Sequence, residues 1–267
     1  MKRALTIAGS DSGGGAGIQA DLKTFAAHGV YGTSAITAVT AQNTHGVAGV
    51  HVVPAEFVTL QIETVVSDIG CDAVKTGMLA ISTIVEAVAA AVEALDLPNL
   101  VVDPVMVAKG GDRLLDDDAI HAVRVTLLRL ARVVTPNIPE AEVLAEMVIR
   151  SVDDMRAAGQ RILRLGCKAV VVKGGHLAGD ESIDVLIESG RETLLTAPRL
   201  PGPHTHGTGC TFAAAIAAHL ARGSTLDEAA RGAKAYVTGA MRHGIAVGGG
   251  HQPLGHFWPH DDPSQKP

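Results

Sequence analysis

The segment from Thr205 to Thr211, which reads Thr-His-Gly-Thr-Gly-Cys-Thr, carries the most specific chemical pattern in the chain. Its glycines allow a ligand to approach the backbone, and an Ala-rich helix is predicted to follow, so that free N–H groups and the helix dipole would face an anion. Cys210 stands where a helix terminus lowers a thiol pKa and could act as a base or nucleophile. The segment predicts a phosphate or phosphoryl site, against the alternatives of a glycine-rich turn capped by Thr208 or Thr211 and an inert cysteine.

A second set of residues could hold a metal ion and phosphate. Asp103 ends an apolar strand, where an ionised carboxylate needs a metal or a cation. Asn137 and Glu140 lie three residues apart on a predicted first helical turn, and together with Asp103 they favour Mg²⁺ held directly or through water, although each alone is more often a cap. Lys173 precedes two glycines and could reach phosphate, or could be a solvated lysine at a strand end.

The glycine run at 13–17 invites a nucleotide-binding interpretation. Residues 15–20 satisfy a G-x-G-x-x-A fingerprint, but Gln42 and Asn43 occupy the place where the acidic residue of a dinucleotide site is expected. The chain also contains no G-x-x-x-x-G-K-[ST] motif. ATP would therefore need a phosphate cradle of a different kind.

Histidines near the same loop raise the question of zinc. His204 and His206 with Cys210 could be mistaken for three ligands of a zinc site, but a fourth ligand is not evident. We therefore interpret this run as an anion loop, and we expect no shared role for the histidines at 243, 251, 256 and 260.

Short β-branched runs alternate with longer segments of helical period, which predicts an α/β protein with helices on both faces of a mostly parallel central sheet. The predicted strands are 4–8, 34–40, 73–76, 100–103, 132–135, 169–173 and 184–187. The predicted helices lie near 17–28, 55–69, 82–95, 117–130, 139–147, 153–165, 211–222 and 226–242. No linker divides the chain, so we expect one domain over 1–267 with a tail frayed from about 258.

Polar and glycine-rich residues follow the predicted strands. They occupy 9–17, 41–43, 77–78, 103–106, 136–137 and 173–176. Ligands bind at the carboxyl ends of strands in open α/β sheets, so one site assembled from several loops is the economical interpretation.

Composition excludes several classes of protein. The 267 residues carry a net charge of −6, which argues against broad binding to nucleic acid or to an anionic membrane. Three cysteines without a C-x-x-C pattern are typical of reduced thiols. We find neither a signal-peptide core nor a run of about 20 apolar residues that could span a bilayer, and we expect a cytoplasmic protein.

Taken together, these motifs resemble the hydroxymethylpyrimidine/phosphomethylpyrimidine kinases of thiamine biosynthesis, which belong to the ribokinase-like superfamily. The segments that carry the resemblance are 9–21, 40–44, 75–78, 103–106, 135–137, 172–176 and 205–211, in the same order along nearly the whole chain. The resemblance implies a three-layer αβα fold of about nine strands. It further implies a homodimer that uses ATP and Mg²⁺ to phosphorylate 4-amino-5-hydroxymethyl-2-methylpyrimidine and then its monophosphate.

The resemblance also implies roles for individual residues. Gln42 would hydrogen-bond the aminopyrimidine. The same pocket would be completed by Gly9, Asp21, Met78 and Val105. Gly207 to Cys210 would form the anion hole, with Cys210 as the base that accepts the hydroxymethyl proton and Thr208 beside the nucleotide. Lys173 would bind ATP phosphates, and Asp103, Asn137 and Glu140 would organise Mg²⁺ or its waters.

Two positions depart from the family pattern, and three rival functions remain. Ser12-Gly13 replaces Pro-Ser and should reshape a loop, whereas Pro203-His204 replaces Lys-Asn and removes a cation near the anion hole. A pyridoxal kinase is the nearest rival, because a substituted pyridine with a hydroxymethyl group has a similar shape. A non-catalytic pyrimidine sensor would not need Cys210, Lys173 or Asp103. A dinucleotide-dependent oxidoreductase is the third.

Overall fold

The computed structural model describes residues 1–106, 115–175, 177, 179–202 and 204–260. The strands are β1 (Arg3–Asp11), β2 (Tyr31–Gln42), β3 (Val47–Val52), β4 (Ala73–Thr76), β5 (Leu100–Val102), β6 (Val133–Val134), β7 (Ala169–Lys173), β8 (Glu181–Glu188), β9 (Arg191–Pro198), β10 (His204–His206) and β11 (Gln252–Pro253). The helices are α1 (Gly17–Ala27), α2 (Ala55–Asp68), α3 (Ser82–Ala94), α4 (Asp117–Ala122), α5 (Ile138–Ala145), α6 (Val152–Leu163), α7 (Thr208–Ala221) and α8 (Leu226–Arg242).

The main sheet contains nine strands in the order β3-β2-β1-β4-β5-β6-β7-β8-β9. The six strands from β2 to β7 in this order pair in parallel, while β3 at one edge and β8 and β9 at the other pair antiparallel. The expected mostly parallel sheet is therefore confirmed. β10 and β11 form a separate two-stranded parallel sheet.

The central strands divide the core into two layers because successive side chains of a strand point to opposite faces. In β5, Leu100 and Val102 join the cluster packed against α2 to α6, whereas Val101 joins the cluster of α1, α7 and α8. In β7, Val170 and Val171 divide in the same way. This alternation produces the expected three-layer αβα arrangement.

Helix boundaries agree closely with the sequence pattern in most places. α8 spans the predicted residues, and its N-cap Thr225 and Glu228 form a reciprocal capping box. The helix predicted near 117–130 is α4 followed by a π-helical turn over Val123–Leu127 and a 3-10 turn over Leu128–Leu130. α7 begins at Thr208, three residues before the predicted start, because Gly207 adopts a left-handed φ of 81° and serves as the N-cap.

The sequence pattern missed two edge strands, β3 and β9. Both are largely exposed and lack the continuous apolar runs of the buried strands. At the other end of the chain, Trp258–His260 form a 3-10 turn, and Trp258 Nε1 donates to the Tyr236 carbonyl at 3.1 Å. These three residues are the part of the expected frayed tail that the structure describes. His176, Pro203 and residues 261–267 lie outside the described part of the chain.

Among the described residues, the helices are all too short or too polar to cross a bilayer.

Candidate active site

A cavity of about 610 Å³ opens at the carboxyl ends of the parallel strands. Loops after β1, β2, β4, β5, β6 and β7 meet there with the first turn of α7, as expected for an open α/β sheet. The predicted site residues that line it are Gly9, Gln42, Met78, Asp103, Val105, Asn137, Glu140, Lys173, Gly207, Thr208, Gly209 and Cys210. Asp21 is different, because its side chain is fully buried beneath the cavity and does not line it.

Gln42 ends β2 and presents an amide to one end of the cavity. Its Oε1 lies 3.0 Å from Thr40 Oγ1, a hydroxyl that also lies 3.0 Å from the Ser10 carbonyl oxygen. Its backbone is fixed by Ser12, whose Oγ donates to the Gln42 carbonyl at 2.9 Å and accepts from the Gln42 N–H at 2.8 Å. Ser12, one of the departures from the family pattern, therefore connects the glycine-rich loop to Gln42.

Apolar groups flank this amide. A Cβ on Gly9 would lie 2.5 Å from Met78 Cε, so only glycine allows the methionine to reach this place. Thr37 Oγ1 donates to the Met78 carbonyl at 2.6 Å and fixes the backbone of this loop. With Val105 on the same cavity, these residues form an apolar slot suited to a flat heteroaromatic ring.

Asp11 organises the glycine-rich loop. Its carboxylate accepts backbone N–H groups of Gly13 at 2.8 Å, Gly15 at 3.1 Å and Ala16 at 2.8 Å. Its Oδ2 also lies 3.0 Å from His206 Nε2. Burial alone would raise the pKa of Asp11, but the hydrogen bonds from His206, Ala16 and Gly13 outweigh burial and lower it. Asp11 therefore remains a carboxylate that holds two loops together.

The anion loop approaches this glycine-rich loop closely. A Cβ on Gly207 would lie 1.9 Å from the Gly15 carbonyl oxygen, so that a side chain cannot be accommodated there. Thr211 N donates to the Gly207 carbonyl at 2.9 Å and closes the first turn of α7. The N–H groups of the residues before Thr211 precede the first intrahelical bond, as at any helix N-terminus, and face the cavity with the helix dipole behind them.

Lys173 and Asp103 form an ion pair at the floor of this loop. Lys173 Nζ lies 3.0 Å from Asp103 Oδ1, and Thr135 Oγ1 donates to the same oxygen at 3.2 Å. Burial alone would lower the pKa of Lys173, but the charges of Asp103 and Glu140 outweigh it and raise it. A Cβ on Gly209 would lie 3.2 Å from Lys173 Nζ, so this glycine leaves the ammonium open to a ligand at the helix start.

Asn137 and Glu140 bond to each other at the start of α5. Asn137 Oδ1 accepts from the Glu140 N–H at 3.0 Å, and Glu140 Oε2 accepts from the Asn137 N–H at 2.8 Å, which is a capping box. Burial raises the pKa of Glu140 to about 7, with Lys173 opposing the rise. The capping role that the sequence left open is therefore present. The single amide oxygen of Asn137 and one of the two oxygens of Glu140 already accept backbone N–H groups.

The donor set still fits a magnesium ion of the usual kind. Mg²⁺ is commonly held by one or two carboxylates, several waters and the phosphates of a substrate. Asp103 and Glu140 supply two carboxylates on one cavity, beside the Lys173 ammonium. Within the described residues, no group of three His, Cys, Asp or Glu side chains is close enough to hold a metal without such additional ligands.

Cys210 lies in the first turn of α7 and is partly exposed to the cavity. Burial raises its pKa to about 11, while the charge of Lys75 opposes the rise. The expected lowering by the helix terminus is therefore outweighed, and the resting group is a thiol. Sequence reasoning assigned no role to Lys75, although a lysine inside a buried four-residue strand is a rare placement.

A second cavity of about 280 Å³ adjoins the first. Lys173, Gly175 and Thr208 line both cavities, so the second continues from the phosphate end of the first. Its wall includes Lys234, whose Nζ donates to Asp184 Oδ2 at 2.8 Å. The two cavities together form an elongated site with the Lys173 ammonium at their junction.

The segment 248–254 connects both ends of the site from outside. Gly250 N donates to Thr44 Oγ1 at 3.2 Å, and His251 N donates to the Thr44 carbonyl at 2.8 Å, just beyond Gln42. Pro253 pairs with His206 in the β10–β11 ladder and reaches the glycine-rich loop, where a Cβ on Gly15 would lie 3.3 Å from its own. This segment therefore holds the loops of both ends.

Comparison with known proteins identifies the family. A family profile described as phosphomethylpyrimidine kinase matches residues 11–255. A hydroxymethylpyrimidine/phosphomethylpyrimidine kinase of Streptomyces coelicolor is 51% identical over 254 residues, which cover 95% of this chain and 94% of that protein. A thiamine biosynthesis bifunctional protein of Geobacter sulfurreducens is 50% identical over 258 residues, 97% of this chain, and the chain spans 53% of its length.

A solved structure shows the same fold. The pyridoxal kinase from Staphylococcus aureus in complex with AMP-PCP and pyridoxal matches with a TM-score of 0.90 and 38% identity, over 97% of this chain and 95% of that one. The profile spans the site from Asp11 onward, and the relatives align along nearly all of the chain. The chain belongs to the phosphomethylpyrimidine kinase family, with the ribokinase-like fold.

Proposed function

We propose that this chain is an ATP-dependent kinase of thiamine biosynthesis that phosphorylates 4-amino-5-hydroxymethyl-2-methylpyrimidine and then its monophosphate. The observation that carries the proposal is the placement of an amide-edged apolar slot and an anion site in one cavity. Gln42 marks the first, and Cys210 with Lys173 marks the second. The names of the relatives from Streptomyces and Geobacter support this substrate class.

The pyrimidine binds in the slot between Gly9, Met78 and Val105. In this proposal the Nε2 group of Gln42 donates to a ring nitrogen of the substrate, and its Oε1 accepts from Thr40 Oγ1. Asp21 makes no direct contact with the ring in this proposal, since it lies behind Lys75. Its contribution is through that lysine.

The transferring phosphoryl group lies at the start of α7. Backbone N–H groups around Gly209 and the Lys173 ammonium face the position where negative charge is transferred. Asp103 and Glu140 would hold Mg²⁺, partly through water, and the bound ion would supply positive charge against the phosphates. The nucleoside part of ATP extends into the second cavity past Thr208. The AMP-PCP complex of the pyridoxal kinase relative supports the use of ATP.

Cys210 is the base in this reaction. Its thiolate accepts the proton of the substrate hydroxyl while that oxygen forms a bond to the γ-phosphorus and the bond to ADP breaks. The thiol must first lose its own proton, which burial disfavours, because the pKa of Cys210 is raised to about 11. A group that stabilises the thiolate is therefore part of the machinery.

The remaining expectations stay proposals. One domain over 1–267 acts as a homodimer in the cytoplasm, where its three free thiols remain reduced. Exposed apolar side chains on β3 and α2, namely Val50, Phe57 and Leu60, support an interface on that side of the molecule. Light scattering in solution and cell fractionation test these two points.

The first experiment is ADP release from ATP and Mg²⁺ with hydroxymethylpyrimidine, its monophosphate, pyridoxal or no acceptor. Turnover with both pyrimidines is the expected result, and it should be lost in Cys210→Ala but kept in Cys71→Ala, since Cys71 does not line the cavity. Turnover with pyridoxal alone would show that the proposed substrate is wrong and would leave the proposed mechanism in place. If folded protein released no ADP with any acceptor, the result would favour a non-catalytic binding protein.

A further inference from the structure

Lys75 is a charged residue enclosed in the core of the protein. Its side chain is 0% exposed, and its Nζ lies 2.8 Å from Asp21 Oδ2. Thr6 Oγ1 donates to the same carboxylate oxygen at 2.6 Å. Among the described residues Asp21 Oδ1 has no hydrogen-bond partner, so the carboxylate is less than fully satisfied by this arrangement. Such a costly group needs an explanation, because apolar residues of similar volume often stabilise a core equally well.

The topology places Lys75 on the face of the sheet that carries Asp21 and Cys210. In β4, Val74 packs in the cluster of α2 to α6, so its neighbour Lys75 points to the opposite face, which α1 and α7 cover. α1 supplies Asp21, and α7 supplies Cys210. Lys75 lines the same cavity as Cys210, and Asp21 stands behind it.

Gly77 leaves room for the Lys75 ammonium. A Cβ on Gly77 would lie 2.8 Å from Lys75 Nζ, so a side chain at this position would displace the ammonium or itself. Of its three N–H groups, Asp21 accepts one among the described side chains. The remaining N–H groups of Lys75 have no hydrogen-bond acceptor among the contacts of the described residues.

The charge of Lys75 acts on Cys210. Burial alone would lower the pKa of Lys75, but the charge of Asp21 outweighs burial and raises it, so the ammonium is retained. Burial raises the pKa of Cys210 to about 11, and Lys75 opposes this rise while Asp21 and Asp103 add to it. The Lys75 ammonium thus favours the Cys210 thiolate, whereas the carboxylates of Asp21 and Asp103 disfavour it.

We propose that Lys75 is a positioning residue for phosphoryl transfer, whose buried ammonium stabilises the Cys210 thiolate. Asp21 holds this ammonium, and Thr6 in turn holds Asp21. The inference rests on the proposed role of Cys210 as base. Lys75 keeps its proton throughout, and the thiolate alone takes the proton of the substrate hydroxyl. Asp21, which the family resemblance places at the substrate, thereby acts on the reaction through Lys75.

The test is the rate at which Cys210 is alkylated by iodoacetamide, read by peptide mass spectrometry across pH 7 to 10. Thiolates react and thiols do not, so the rate at fixed pH reports the ionised fraction of Cys210. We expect Lys75→Met to slow this reaction by about tenfold or more, which corresponds to one pKa unit. Alkylation of Cys71, which lies beside Arg3 and Asp72, should not change.

Two further variants separate electrostatics from damage to the fold. Lys168→Met removes an exposed lysine just before β7 and should leave Cys210 reactivity as it is. The double variant Asp21→Asn/Lys75→Met removes both buried charges, which protects the fold, and should still slow alkylation by about threefold or more. Equal alkylation rates in wild type and in a folded Lys75 variant would overturn the proposal.

Kinetics supply an independent readout. If Lys75 acts through Cys210, the variant lowers kcat and leaves the KM for the pyrimidine unchanged, whereas a lysine that binds the ring would raise KM and leave alkylation unchanged. The second pattern would also overturn the proposal. Alkylation needs no turnover, so a wild-type protein without kinase activity would remove the proposed function and leave this inference testable.

Discussion

His206 Nε2 lies 3.0 Å from Asp11 Oδ2, and this contact joins the loop before α7 to the glycine-rich loop after β1. The two residues are 14% and 3% exposed, so water screens their interaction weakly. The pyrimidine end and the phosphoryl end of the cavity are therefore mechanically connected through one histidine and one carboxylate.

His206→Ala should loosen both ends of the site. Losing a hydrogen bond to a buried charged group costs about 1.5–3 kcal/mol, so the free energy of unfolding should fall by that amount, and the KM for the pyrimidine should rise. Urea unfolding and initial rates measure the two effects. His51→Ala, an exposed residue of β3, is the matched control. Unchanged stability and KM in His206→Ala would show that the two loops are held by other contacts.

Gln42→Ala should weaken binding of the pyrimidine without changing the fold. The variant leaves Thr40 Oγ1 without its amide acceptor and removes the donor to the ring, so we expect KM to rise about tenfold or more while kcat changes less. Calorimetry of pyrimidine binding without ATP is the direct measurement. Gln160→Ala, on the exposed face of α6, should bind as wild type does. Full affinity in Gln42→Ala would remove this residue from the substrate pocket.

Gly209→Ala should impair phosphoryl transfer. The added Cβ would lie 3.2 Å from Lys173 Nζ and 3.6 Å from Asp103 Oδ2, where it crowds the ion pair and the helix start. Displacing an anion-hole donor costs about 10²-fold in kcat in other enzymes, and we expect a loss of about that size. Gly49→Ala is a suitable control, since its Cβ would meet nothing within 4 Å. A variant with wild-type kcat would place the transferred group elsewhere.

Acid should destabilise the protein well above the carboxylate range. Burial lowers the pKa of His256 to about 4 and that of His219 to about 4, so folding favours their neutral forms. This stability is fully present above the unfolded value near pH 6.5 and is lost as the pH falls toward 4. For His256, which is 3% exposed, the loss between pH 7.5 and 5 is about 2 kcal/mol.

Urea unfolding at pH 7.5 and pH 5 measures this loss. His256→Gln should show a smaller difference between the two pH values than wild type, even where its stability at pH 7.5 is lower. His51→Ala should show the wild-type difference, because this histidine is exposed. A His256→Gln protein with the full wild-type loss would assign the acid sensitivity to other groups.

Lys75→Met alone should be much less stable than the double variant with Asp21→Asn. The single change leaves Asp21 buried without its cation, which typically costs about 3–5 kcal/mol, whereas removal of both charges is often nearly neutral. Thermal unfolding of the two variants shows which of them is more stable. A single variant as stable as the double would mean that Asp21 is protonated once its partner is gone.

The sequence predicts the parallel core of this fold well. The buried strands β5 and β7 fall within the predicted residues, because continuous apolar runs between turn signals are typical of strands covered on both faces. β3 and β9 carry no such signal, since they are the two edge strands of the sheet and much of their surface is exposed to water. These two strands form because β2 and β8 offer backbone hydrogen-bonding partners, which the side chains of β3 and β9 do not reveal.

The site is predicted less completely. Glycine loops and strand-end carboxylates are visible in sequence, and the cavity brings twelve of the thirteen predicted residues together. Asp11 and His206 are separated by 195 positions, and no local pattern connects them. The high pKa of Cys210 is a property of burial, which the helix-start pattern alone does not report.

The segment 248–254 has a practical consequence for work with this protein. Because it is tied to Thr44 at one point and to the strand of His206 at another, a change in its length would shift the two ends of the site relative to each other. Purification tags and reporter fusions at this end should therefore be attached beyond His260, which is anchored to the Ala27 carbonyl at 2.8 Å. Random insertion libraries should recover few active clones between residues 248 and 254.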